Sequence, residues 1–256
     1  MKKTKKFLSV ILACTTLLGT SLTAFAKPVT NDATYSVNKN GETYGTDAQA
    51  ALVGYEADLI LAVGENNTVG YVRATDLDNG VKNPTEATKS NHTSSVTYVP
   101  LYSSDGKTVI GKFAVAVELQ ESNSSRAVVE YLYGVEGYIN VNDNYTCTTR
   151  SSIADCTNGV RGKTRIHSNK NVNSGWLGVQ VRIYRKSDNA LVDSSSYKYN
   201  TKKASLVEYT SYHGTIKTNE FYYSKGYVKT WNPDISDYWI TDTAKSPAVK
   251  PTIINP

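Results

Sequence analysis

The stretch VTYVPLYSSDGKTVIGKFAVAV occupies residues 96–117, and its second arm repeats with a period of two. Val109, Phe113, Val115 and Val117 share one face with Gly111, while Lys112, Ala114 and Glu118 take the other. An apolar residue at every second position marks a half-buried strand. Asp105-Gly106 stands between the two arms. That dipeptide tolerates the positive φ angles of a type I′ turn, so the spacing predicts a two-stranded hairpin.

The same grammar extends in both directions. Residues 59–63 (LILAV) and 69–72 (VGYV) flank GENNT, and Asn66-Asn67 suits a tight turn, so a second strand–turn–strand is expected. Residues 27–50 read as an extended leader that enters a short helix around Asp47–Val53. Asn83-Pro84-Thr85-Glu86 carries a capping residue, a proline at the first helical position and an early acid, which together start a helix. ESNSS (121–125) is a polar hinge, and AVVEYLYGVEGYINV (127–141) fits helix or strand equally. From Asn140 onward, short strands alternate with turn residues about every ten positions. The strongest is GWLGVQVRIYRK (175–186), where Leu177, Val179, Val181 and Ile183 oppose Trp176, Gln180, Arg182 and Tyr184. The 19 Tyr against 4 Phe and 1 Met also favour strands over long helices. The fold class expected is mainly β: a hairpin-rich module over 51–120, an antiparallel β-sandwich or barrel over 121–250, and an irregular tail over 251–256.

The start of the chain specifies an address. MKKTKK is a positive segment, an uncharged apolar run follows to about Leu22, and Ala24-Phe25-Ala26 is a small-x-small cleavage site. Residues 1–26 therefore read as a secretory signal peptide. Ile11-Leu12-Ala13-Cys14 loosely resembles a lipid-acceptor box, but the apolar run continues past Cys14, which favours cleavage after Ala26. No later stretch is long and apolar enough to span a bilayer. Loss of the leader removes four lysines and leaves 24 basic against 23 acidic residues. The balance is uneven along the chain: residues 27–139 hold 8 basic and 14 acidic residues, and 140–256 hold 16 and 9. A basic half suggests an acidic partner. Cys147 and Cys156 remain as a pair in an exported chain, so a disulfide between them is expected.

One resemblance covers roughly residues 35–115. VNKNGETYG (37–45), ADLILAVGENNTVGYVRATDLD (57–78), PTEA (84–87) and VPLYSSDGKTVIGKF (99–113) together resemble a module of uncharacterised exported Gram-positive proteins. The module is also similar to extracytoplasmic tails of membrane metallopeptidases related to beta-lactam sensors. The resemblance implies an exported accessory module. It does not carry peptidase activity across, because that chemistry needs an H-E-x-x-H helix and His92, His167 and His213 stand apart. Residues 140–256 resemble no family.

No motif of nucleophilic, nucleotide or metal chemistry is present in the sequence. A Cys–His pair drawn from Cys147 or Cys156 with His167 or His213 competes with the expected disulfide, and zinc ligation lacks a fourth neighbour. No cofactor is expected. Binding has more support. All three Trp and ten Tyr lie in the basic half. Strand parity places Trp176, Arg182 and Tyr184 together, and likewise Tyr227, Lys229 and Trp231. Aromatics interleaved with cations suit sugar rings or phosphate-bearing polymers, and export argues against nucleic acid. The expected function is a secreted or envelope-associated, non-enzymatic protein that binds an acidic wall polymer or glycan through this half. A membrane-active effector and an enzyme with an unrecognised site are the alternatives.

Overall fold

The computed structural model describes residues 34–91, 96–116, 130–143, 145–214 and 219–253. The signal peptide with Cys14, and the polar hinge at 121–125, lie outside the described residues. Strands cover 54% of the described chain and helices 11%, so the protein is mainly β.

Strands β1 (Ser36–Val37) and β2 (Thr43–Gly45) lead into helix α1 (Asp47–Val53), which begins where the sequence places it. Thr46 caps α1 by accepting from the Gln49 backbone N–H, Gln49 returns the bond to the Thr46 N–H, and Gly54 ends the helix at φ 89°. Next come β3 (Leu59–Val63) and β4 (Val69–Arg73), joined through a 3-10 turn at Glu65–Asn67. Asn66 and Asn67 take φ values of 55° and 57°, as expected of this turn. Helix α2 (Ala74–Leu77) follows, then α3 (Pro84–Ser90), capped by the Asn83 side chain.

The deciding hairpin forms as β5 (Thr97–Tyr102) and β6 (Val109–Ala116), but not through a two-residue turn. Its loop closes where the Ser103 N–H donates to the Thr108 carbonyl at 2.9 Å. The Asp105 carboxylate organises this wider loop, accepting from the Thr108 hydroxyl and N–H, the Ser103 hydroxyl and the Lys107 N–H. An acceptor with four local donors outcompetes the tight turn. Phe113 and Val115 are buried as the alternation requires, whereas Val109, beside the loop, is exposed.

The second half contains β7 (Leu132–Tyr133), β8 (Gly137–Asn142), β9 (Tyr145–Cys156), β10 (Gly159–Val172), β11 (Leu177–Gln180), β12 (Arg182–Arg185), β13 (Leu191–Ser195), β14 (Lys198–Tyr199), β15 (Ala204–Gly214), β16 (Tyr222–Ser224), β17 (Tyr227–Asn232) and β18 (Asp237–Asp242). The described part of the ambiguous segment, 130–141, therefore forms β7 and most of β8 with irregular residues between them, and no helix. The single long strand expected over 175–186 is broken at Val181, and its two parts belong to different sheets.

The boundary expected at residue 120 is not a boundary in the fold. β13 pairs in parallel with β6 at Ser194↔Val115 and with β3 at Leu191↔Ala62. With the antiparallel neighbours β3–β4, β4–β5 and β5–β6, these pairings close a ring of five strands. Ile60, Val72, Leu101, Phe113 and Leu191 fill that ring with residues from both halves. β1 and β2, from the expected leader, extend the same sheet. A further sheet runs β15–β10–β9, with β7 and β8 pairing along β9. Its inner residues Ile153, Val160 and Ile166 pack on Val181, Ile183, Leu177 and Val179. The remaining sheet is β14–β11–β17–β18. In the tail, Thr252 makes an isolated bridge to Thr157.

Cys147 and Cys156 are not joined. Both lie on β9, nine residues apart. A strand advances about 3.3 Å per residue, so their Cα atoms stand about 30 Å apart, while a disulfide needs about 5.5 Å. The sequence places the two cysteines near each other along the chain, and the extended backbone separates them in space.

Candidate functional site

The six residues expected to form a binding face do not lie on one open surface. Arg182, Tyr184 and Lys229 are buried. Arg182 donates to Glu56 at 2.5 Å and lies over the Tyr227 ring. Lys229 pairs with Asp78 and lies over Tyr197. Tyr184 stacks on Tyr223, with centroids 5.3 Å apart. Trp176 packs against Tyr145, and Trp231 meets Tyr238 edge-on. Trp176 packs in the same cluster as Leu177 and Val179, the residues that alternation sets it against, and both faces of β11 and β12 are covered. The second covering comes from residues 56 and 77–78, about a hundred positions earlier in the chain: the Gln180 amide, for example, donates to the Leu77 carbonyl at 2.7 Å. These cations are structural, because a buried charge persists only with a partner.

Lys225 follows the same rule. It is buried between Asp47 at 2.7 Å and Asp242 at 2.8 Å, and Asp47 also accepts from the Tyr223 hydroxyl.

A different basic surface lies on the outer face of the β15–β10–β9 sheet. Along β10, Val160, Gly162, Thr164 and Ile166 point inward, so Arg161, Lys163, Arg165 and His167 point outward. Arg150 stands opposite Arg165 on β9, and residues opposite one another share a face. Three tyrosines border the row. The Lys163 ammonium lies 4.3 Å from the Tyr131 centroid, and the Arg150 guanidinium 5.6 Å from that of Tyr133. Tyr138, 68% exposed, stands two strands away from His167, across Thr148.

Two carboxylates temper the charge. Glu136 bridges Arg165 at 3.1 Å and Arg150 at 3.6 Å, and Glu208 pairs with Lys163 at 3.2 Å. Arg150, Lys163 and Arg165 are thus each paired, and the Arg161 Nε and Nη2 atoms are buried. Lys170 in the β10 bulge, and Lys202 and Lys203 before β15, are exposed. Alternate residues on a strand are about 6.6 Å apart, so Arg161, Lys163 and Arg165 form a linear array of charge. The sequence signal for this row is RGKTRIH (161–167), with cations at every second position and no tryptophan among them.

The suggested Cys–His pairing does not assemble from Cys147 and His167. Cys147 points into the core and His167 out of the sheet. Burial pushes the Cys147 thiol up to about 12, so it carries no thiolate at neutral pH. Comparison with family models, with curated proteins and with solved structures gives no match to this chain.

Proposed function

We propose that the chain is an exported, non-enzymatic binding protein of the cell envelope, and that it holds an anionic wall polymer along the outer face of the β15–β10–β9 sheet. The observation that carries this reading is the aligned row Arg161, Lys163 and Arg165, joined by Arg150 and bordered by Tyr131, Tyr133 and Tyr138. A polyol phosphate or acidic glycan presents negative charges at regular intervals along an extended chain. A strand presents cations in the same way, and the exposed Tyr133 and Tyr138 supply flat apolar contact to the units between charges. The signal peptide read from residues 1–26 would bring the protein to such a polymer.

The test is co-sedimentation of the full mature chain with purified Gram-positive walls, before and after acid extraction of their phosphate polymers. Retention is expected on intact walls at low salt, with release as salt screens the contacts. The charge reversal Arg161→Glu/Lys163→Glu/Arg165→Glu should remove retention while leaving the circular dichroism spectrum unchanged. Equal retention on extracted walls, or a folded triple variant that still binds, would sink the reading.

A further inference from the structure

A second concave site lies away from this face. The corner after β4, strands β5 and β6, and the link from β13 to β14 enclose a cleft of about 320 Å³. Asp76, Asp78, Asn79, Thr97, Ser196 and Lys198 are among its walls. The walls are fixed before any ligand arrives. The Gln180 amide donates both to Leu77 O at 2.7 Å and to Ser195 O at 3.0 Å, clamping the two sides. The Tyr199 hydroxyl donates to Asn79 Oδ1 at 3.2 Å.

The charges in the cleft do not balance. Asp78 is matched by Lys229. The Lys198 ammonium is directed to the Tyr209 ring, 5.5 Å from its centroid. Arg73, the nearest cation to Asp76 along the chain, is bonded to Glu42 and the Gly106 carbonyl and reaches Asp76 only through space, where its charge offsets part of the burial that raises the Asp76 carboxyl. Asp76 itself has no hydrogen-bond or ion-pair partner among the described residues, although it is half-buried and lines the cavity. A carboxylate partly removed from water without a partner is costly. A cation supplied from outside would offset that cost.

We propose that this cleft binds a small hydroxylated primary ammonium compound, of the amino sugar or amino alcohol class. The ammonium pairs with Asp76, and ligand hydroxyls reach the Ser196 and Thr97 hydroxyls and the Asn79 amide. The size suits a single sugar ring. None of these residues belongs to the basic sheet face, so this site and the wall-polymer reading fail independently.

The experiment is an NMR titration of the full mature chain with glucosamine, with glucose and N-acetylglucosamine as neutral counterparts. Saturable shifts confined to the cleft residues are expected for glucosamine, with affinity at least about tenfold above both neutral sugars, the equivalent of one modest charged contact. Asp76→Asn should lower glucosamine affinity to the level of glucose. Ser196→Trp, which fills the cleft and spares Asp76, should abolish binding and guards against an Asp76 variant that fails to fold. Equal affinity for charged and neutral sugars, shifts outside the cleft, or undiminished binding to either folded variant would overturn the proposal.

Discussion

Asp193 shows what burial does to a single group. It lies on β13, facing the outer sheet, and accepts from the Ser211 hydroxyl at 2.8 Å. Burial pushes its carboxyl up to about 6, with the Ser211 bond opposing the shift. Between the ordinary carboxylate value and about 6, the folded chain holds a proton that the unfolded chain has released. That proton stabilises the fold at acid pH, and its contribution is lost as pH rises through about 6. The contribution of this residue to Tm should therefore fall between about pH 4 and about pH 6, and Asp193→Asn should flatten that interval. Parallel thermal melts of the two proteins check this; identical pH slopes would refute it. Nothing local marks this residue, because VDSSS (192–196) reads as an ordinary polar strand until another layer covers it.

β10 is the element on which both the fold and the proposed site depend. Its outer residues carry the charge, and its inner residues must let the next layer approach. Gly162 marks the closest approach: a Cβ there would lie 2.8 Å from Ile183 Cγ1, 2.9 Å from Ser224 Oγ and 3.0 Å from Val181 Cγ1. Gly162→Ala should destabilise by about 1–3 kcal/mol, the usual cost of overpacking. Gly111 on β6 is the control. Its nearest neighbour would be 3.5 Å away, an ordinary contact, so Gly111→Ala should change little. Urea midpoints of the two variants measure the contrast, and equal midpoints would show that the layers can move apart. The alternation of β10 was legible in RGKTRIH, but its tight packing was not, since a glycine in a strand reads equally as a bulge or a bend.

At the scale of the molecule, the two halves share one ring of strands. β13 lies between β3 and β6, and Phe113 and Leu191 occupy the same core. Lys225 with Asp47 is a buried ion pair across the halves, and Lys229 with Asp78 is a part-buried one. A fragment ending at residue 116 would expose the edges of β3 and β6, and a fragment beginning at residue 130 would leave Arg182, Lys225 and Lys229 short of partners. Neither should fold alone, and mixing the two should restore the dispersed amide spectrum of the intact chain. A dispersed spectrum from either isolated fragment would contradict this.

The sequence by itself determined the mainly β class, the short helix α1, the capped start of α3, the asparagine turn after β3 and the hairpin of residues 96–117. Each is set by interactions within a few residues: side-chain period, caps and turn chemistry. Only the tertiary structure decided where the cysteines stand, which cations are covered and which face stays open. Arg182 and Lys229 have the same strand pattern as Arg161 and Lys163. What separates them is the degree of covering: Glu56 and Asp78, distant in the chain, are folded over Arg182 and Lys229, which are buried, while Arg161 and Lys163 stay half-buried. Burial depends on which distant segments return to cover a strand, and a local pattern holds no record of them.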